Sequence, residues 1–168
     1  KALLDAKADP SVRHVLDVDD GDTSYPLIAF CLMQSRDDAL KILLDGGMPH
    51  DQPLPEGTEP LLFLASQMAK NAEVENDVPS TLERLQHFED CLHLMLEKEH
   101  SEVLLLKCLM EVAKENSIAA ARAASILLRH GVNPDKQISQ ESGSETGPCR
   151  TQTPLIHAVW HGHHRLVR

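Results

Sequence analysis

The sequence predicts an all-α protein in which short helices follow one another in pairs. Three observations support this fold class. In residues 82–96 the apolar side chains recur every three or four positions, the spacing that places them on one face of an α-helix. The dipeptide Pro-Leu occurs at Pro26 and again at Pro60, 34 positions later. Leucine-rich segments that end on glycine recur as well, at residues 43–47 and 127–131, and glycine commonly closes a helix.

The most informative stretch runs from Thr153 to Val167 and has the sequence TPLIHAVWHGHHRLV. It resembles the opening of an ankyrin repeat, whose consensus is T-P-L-H-x-A-A-x-x-G-H-x-x-L/V-V. The matching residues are Thr153, Pro154, Leu155, Ala158, Gly162, His163, Leu166 and Val167. The resemblance implies an α-solenoid of stacked helix pairs, with β-hairpin or loop fingers between the pairs.

The chain divides into five units on this interpretation, all within one ankyrin-repeat segment that covers residues 1–168. The units are the tail of a repeat (1–22), a repeat (23–57), a repeat with an insertion at 71–78 (58–100), a degenerate repeat with a loop insertion at 137–150 (101–150), and the start of a truncated repeat (151–168). We therefore expect a piece of a longer protein. Both insertions are polar and lack hydrophobic periodicity, which is typical of exposed loops.

The expected helices follow from apolar runs and from the residues that begin and end them. They span residues 26–34, 37–44, 60–70, 80–98, 103–114 and 117–130. Ser80 is expected to cap its helix, with Glu83 completing a capping box, and Ser101 is a further N-cap. The residues between 9 and 22 are polar and should form an extended connection. Only Glu99 and His100 separate the fourth helix from Ser101, which leaves no room for a hairpin there.

Composition restricts the classes of partner. The formal net charge of −10 argues against a nucleic-acid backbone as the partner, because phosphate-binding faces need clustered Lys and Arg. No apolar run approaches the roughly 20 residues of a membrane-spanning helix, so we expect no membrane insertion in this segment. Cys31, Cys91 and Cys108 lie in apolar helical runs and are expected to be reduced packing residues, which indicates an intracellular, cytoplasmic or nuclear protein.

Two groups of residues could carry metal chemistry, and the sequence favours a structural role for both. Residues 17–22 (DVDDGD) look like the start of a calcium loop, but the glycine comes one position early and Ile28 stands where the bidentate glutamate belongs. His157, His161 and His164 have the spacing of one helical face, yet no carboxylate motif accompanies them. We predict no catalytic residue, no metal and no cofactor.

The function expected from the family resemblance is a scaffold that binds a partner protein in a concave groove. The alternative is a structural or regulatory ankyrin segment that packs within a larger enzyme, channel or ubiquitin-ligase component, against another part of the same chain. Carried over from the family pattern, the partner-binding residues are Leu32, Met33, Ser66, Gln67, Trp160 and His161 on helices, with Asp20, Asp22, Glu56 and Thr58 on turns. Trp160 is the best anchor, since tryptophan buries a large area at low entropic cost.

Overall fold

A β-hairpin precedes the described helices. The computed structural model describes residues 13–18, 21–54, 57–70, 79–137 and 153–167. Strands β1 (Arg13–Val18) and β2 (Gly21–Pro26) pair antiparallel, with Arg13 opposite Pro26 and Val18 opposite Gly21. The hairpin lies where the sequence predicts an extended connection and a turn, and β2 packs on the first helix.

Helices form most of the other described residues. The first four are α1 (Leu27–Met33), α2 (Asp37–Asp45), α3 (Pro60–Lys70) and α4 (Pro79–Leu96). The next four are α5 (Glu102–Val112), α6 (Ile118–Arg129), α7 (Pro154–Trp160) and α8 (His164–Val167). The all-α prediction is therefore confirmed, and most helix boundaries agree with the expected ones to within two residues.

The helices pack in two layers. Each helix contacts its partner along the chain, in the pairs α1 with α2, α3 with α4, α5 with α6, and α7 with α8. The first helices of successive pairs also contact one another, in the order α1, α3, α5, α7, and the second helices do the same in the order α2, α4, α6, α8. Each described pair after the first thus packs one side against the pair before it.

The core between the layers consists mostly of leucine, alanine and methionine. Phe88, Leu92 and Met95 on α4 are buried, which confirms most of the apolar stripe predicted for that helix, whereas Leu82 at its start is 42% exposed. On α6 the buried face carries four alanines, whose small side chains allow close approach to α3 and α5. They are Ala119, Ala120, Ala123 and Ala124.

Three cysteines belong to this core. Burial raises the pKa of Cys31 to about 11 and the pKa of both Cys91 and Cys108 to about 12. All three are buried and carry free thiols, so the predicted packing role is confirmed. A thiol with such a pKa stays protonated at neutral pH and is a poor nucleophile and a poor metal ligand.

Capping explains where several helices begin and end. Ser101 and Ser117 each accept a hydrogen bond from a backbone N–H in the first turn of α5 and α6, as Thr153 does for α7. Ser117 also donates to the carbonyl of Ala69, at 2.8 Å, and so connects α6 to α3. Gly131 has a φ of 86° after α6, the left-handed conformation predicted for it.

Two predicted helix starts are wrong by one residue. Helix α1 begins at Leu27, because Pro26 ends strand β2 with an extended ψ of 150° and is the N-cap instead of a first-turn residue. Helix α4 begins at Pro79, so Ser80 lies inside the first turn and cannot be its N-cap. Proline suits the first helical position, since its missing N–H would be unpaired there in any case.

The two predicted insertions, 71–78 and 137–150, lie outside the described residues apart from Gln137, which is exposed.

Candidate interaction surface

The predicted partner-binding residues depend on how the repeats are aligned, and two turns provide that alignment. Ser35, between α1 and α2, has a φ of 52°, and Gly162, between α7 and α8, has a φ of 70°. The same three backbone hydrogen bonds form in both turns. The N–H of the residue before the positive-φ residue donates to the carbonyl four residues before it. The N–H of the positive-φ residue donates three residues back, and the N–H of the residue after it donates five residues back. The two turns are therefore equivalent, with Ser35 at the position of Gly162.

This alignment corrects one predicted site residue. Leu32 is fully buried in the core, so it is not available to a partner. The prediction aligned the Pro-Leu dipeptides, whereas the hairpin makes Pro26 a cap and shifts the helix by one residue. The residues equivalent to Trp160 and His161 are consequently Met33, which is half-buried, and Gln34, which is exposed.

On α3 the residues predicted from the family pattern lie at the surface. The helix begins on Pro60 just as α7 begins on Pro154, so the spacing transfers without a shift. Ser66 is half-buried and Gln67 is exposed. Both are therefore accessible beside α1 and α5, the helices that α3 contacts in the same layer.

The predicted turn residues are only partly described. Thr58 is half-buried, and its carbonyl accepts a hydrogen bond from the N–H of Leu54 at 2.9 Å. The intervening Gly57 has a φ of 74°, a left-handed conformation typical of a turn, which agrees with the predicted position of Thr58 on a turn. Asp22 lies in β2 opposite Asp17, while two other predicted residues, Asp20 and Glu56, are outside the described residues.

The largest exposed apolar group lies on α7. Trp160 is 78% exposed, and Val159 and Ile156 are 57% and 52% exposed. Ile156 precedes Trp160 by four positions and Val159 by three, so the three side chains lie close together on the helix surface. Leu155 and Val167 extend this apolar surface at 37% and 46% exposure.

A histidine cluster borders that surface. The rings of His157 and His161 are 4.4 Å apart between centroids, and His163 lies 5.8 Å from His161. His163 is buried, and its Nδ1 atom donates a hydrogen bond to the carbonyl of Ala113 at 2.8 Å. This bond joins the residue before α8 to the C-cap residue of α5. Burial lowers the pKa of His157, and His161 lowers it further.

The predicted alternative of a three-histidine helical face is not supported here. Helix α7 ends at Trp160, and His164 is the first residue of α8. The third ring near His157 and His161 therefore belongs to His163, which the turn at Gly162 carries inward.

A cluster that the sequence analysis missed lies between α2 and α4. Asp37, His87 and Asp90 each place one oxygen or nitrogen atom within 4.8 Å of the others. Asp37 and His87 are 50 residues apart, so no local sequence motif predicts that they lie together. The signal available from sequence was the predicted stacking of second helices, which brings these two segments together.

No protein-family model matches this sequence, and a search of the curated proteins finds no related one. Within the described part of the chain, no helix combines the length and the apolar character needed to cross a bilayer.

Proposed function

We propose that this chain is a protein-interaction module built as an ankyrin-type α-solenoid. Binding, rather than catalysis, is the activity of the segment. The support for the solenoid is the order of helix contacts, in which each layer adds one helix per pair. A stack of this kind offers its partner a long surface made from equivalent positions in successive pairs.

The recurring turns support the same proposal. Gly47 follows α2 with a φ of 84° and Gly131 follows α6 with a φ of 86°. In both, the N–H of the next residue returns to a carbonyl five residues back. The proposed repeats thus end their second helices alike, as they end their first helices alike at Ser35 and Gly162.

The observation that carries the proposal of partner binding is the exposure of Trp160. A tryptophan that is 78% exposed, with Val159 and Ile156 beside it, is unusual on a surface that meets only water. Aromatic anchors of this kind contribute much of the binding energy at protein interfaces. We assign the partner-facing surface to Trp160 and His161, continued by Ser66 and Gln67 on α3 and by Met33 and Gln34 on α1.

The second candidate is that the same apolar surface packs within a larger polypeptide. Leu155 favours it, because this residue is 37% exposed, whereas the equivalent Ile28 of α1 is fully buried. Equivalent positions on α1 are covered by a following helix pair, and another part of the same chain could cover α7 in the same way.

The test uses Trp160 as both the mutated residue and the reporter, because it is the chain's single tryptophan. Proteins that bind the purified chain are identified by affinity capture, and the affinity of each is then measured with purified material. Burial of the indole should shift the tryptophan emission to shorter wavelength on binding. Trp160→Ala should weaken the affinity at least tenfold, with a melting temperature close to that of the original chain.

Val103→Ala is the matched control, since Val103 is 57% exposed on α5, outside the assigned surface. Its affinity should be unchanged. If Trp160→Ala binds every partner normally and instead lowers the melting temperature, the partner-binding proposal fails and the intramolecular packing role is favoured.

A further inference from the structure

The cluster of Asp37, His87 and Asp90 joins two helices of the second layer. Asp37 is the first residue of α2, and His87 and Asp90 are one turn apart on α4. The His87 Nδ1 atom donates to Asp37 Oδ1 at 2.6 Å. The Asp90 carboxylate also accepts a hydrogen bond from the side chain of Gln86, at 3.1 Å. Two carboxylates and one imidazole therefore converge from elements far apart in sequence.

A groove of about 660 Å³ adjoins the cluster and is lined by residues of the Ser35 turn and of α4, including Asp37 and His87. Ser35 lines it too, is 3% exposed, and its Oγ atom makes no hydrogen bond to the described residues. A buried hydroxyl without a hydrogen-bond partner destabilises the folded state. Ser35 is thus a buried, unpaired polar group among the residues that line the groove with Asp37 and His87, and it is a second, independent indication that a polar ligand binds there.

The charges of the groove point to a cation as that ligand. Two carboxylates lie within 4.8 Å of each other with one imidazole between them, an arrangement that positive charge would stabilise. The two arginines that line the groove have other contacts. Arg36 binds Asp38 at 3.2 and 3.3 Å and lowers the pKa of that carboxyl, while Arg84 lies over the ring of Phe88.

We propose that Asp37, His87 and Asp90 form a binding site for a zinc-class divalent cation that joins α2 to α4. One imidazole nitrogen and two carboxylate oxygens suit Zn²⁺ better than Mg²⁺, which prefers oxygen ligands alone. Tetrahedral Zn²⁺ holds its ligand atoms roughly 3.4 Å apart. The contact between Asp37 and His87 must therefore widen by less than about 1 Å, which rotation of two partly exposed side chains provides.

Binding replaces the proton that His87 Nδ1 donates to Asp37. The cation forms bonds to that nitrogen and to the carboxylate oxygens, and the displaced proton passes through solvent to Nε2, so that the bound ring stays a neutral imidazole. Three protein ligands leave a fourth position for water. The three proposed ligands lie outside the proposed partner-facing surface, so the two proposals are tested by different variants, although Gln34 of that surface also lines the groove.

The experiment measures Zn²⁺ binding by calorimetry after chelator treatment of the protein. We expect one equivalent of Zn²⁺ at the site, and each of Asp37→Asn, His87→Ala and Asp90→Asn should weaken its affinity at least tenfold. Asp51→Asn and His130→Ala, exposed changes of the same types elsewhere, should leave it unchanged. Mg²⁺ should not compete, and the His87 Nδ1 resonance in nitrogen NMR spectra should shift on addition of Zn²⁺.

The chain contains ten histidines, so the variants decide where any zinc binds. Binding that persists in all three site variants, or binding lost only when His157 and His161 are replaced, would overturn the proposal. Failure of the original chain to bind micromolar Zn²⁺ would overturn it too. Circular dichroism of each metal-free variant checks folding, and Asp90→Asn keeps the test available if the contact between Asp37 and His87 proves necessary for the fold.

Discussion

The turn at Ser35 and the turn at Gly162 have the same backbone and different chemistry. Each joins the first helix of a pair to the second, and each makes the same three backbone hydrogen bonds. Glycine adopts the left-handed conformation at little cost, whereas serine does so against steric resistance from its own Cβ. At Ser35 the packing of the two helices therefore stabilises the turn enough for it to form without glycine.

The residue after each turn makes the larger difference. His163 is buried and donates to the Ala113 carbonyl of the preceding helix pair, 50 residues away. Arg36, at the equivalent position, is exposed and pairs with Asp38, two residues along its own segment. The residue after Gly162 is thus tied to the preceding helix pair, whereas the residue after Ser35 is paired within its own segment, although the two backbones match. The Ser35 segment meets a neighbouring pair one residue later, where Asp37 accepts from His87.

The largest expected effect is loss of the hydrogen bond from His163. His163→Ala should lower the free energy of unfolding by about 2 kcal/mol, because the buried Ala113 carbonyl loses its donor. Denaturant unfolding followed by circular dichroism measures the change. Arg36→Ala is the matched comparison and should cost much less, because an exposed ion pair contributes little to stability. Equal losses in the two variants would refute the contrast.

A smaller effect is expected from the glycine itself. Gly162→Ala should destabilise the protein by about 1 kcal/mol, since alanine resists a φ of 70°. A Cβ built at this position meets no atom within 4 Å, so the cost comes from the backbone alone. Thermal unfolding should show a melting temperature lowered by about 3 °C. An unchanged value would mean that the turn relaxes freely in the variant.

The sequence predicted most of the fold for a physical reason. Helices such as α5 and α6 begin on serines that can cap, run along apolar faces, and end where the chain must turn, and all of these signals are local. The predicted helix starts at Pro26 and Pro79 were wrong because the position of a proline near a helix start is ambiguous from sequence. A proline can stand before a helix or in its first turn, and only the hairpin that ends at Pro26 decides between them.

The candidate sites were less predictable, because each depends on distant segments. The one-residue shift at Pro26 placed Leu32 in the core and brought Gln34 to the surface, which an alignment of dipeptides could not show. The approach of Asp37 to His87 requires knowing how α2 and α4 pack. Trp160 was identified from sequence as an anchor, and its exposure is consistent with that role, while its binding remains a prediction.

Replacing the strained serine should have a smaller and opposite effect. Ser35→Gly relieves the left-handed backbone and removes the unpaired hydroxyl, while the added flexibility of the unfolded chain offsets part of the gain. We expect a net stabilisation of about 0.5 kcal/mol in denaturant unfolding. Ser35→Ala separates the two contributions, since it removes the hydroxyl and keeps the strain. If Ser35→Gly destabilises the protein, the serine side chain has a favourable contact that outweighs both costs.

The smallest expected effect is on pH dependence at the Gly162 turn. Burial, His161, Lys114 and His163 all lower the pKa of His157 in the folded chain, against a weaker opposing effect of Glu111. In the unfolded chain, His157 has its ordinary pKa of about 6.5. The unfolded chain therefore binds more protons at this residue than the folded chain does at mildly acidic pH. Stability from this group is fully present above pH 6.5 and declines as the pH falls toward the lower folded value. His157→Gln should flatten the fall in melting temperature below pH 6.5, whereas His87→Gln at the other end of the molecule should leave the contribution of His157 intact. A steeper fall in His157→Gln would reverse the assigned sign.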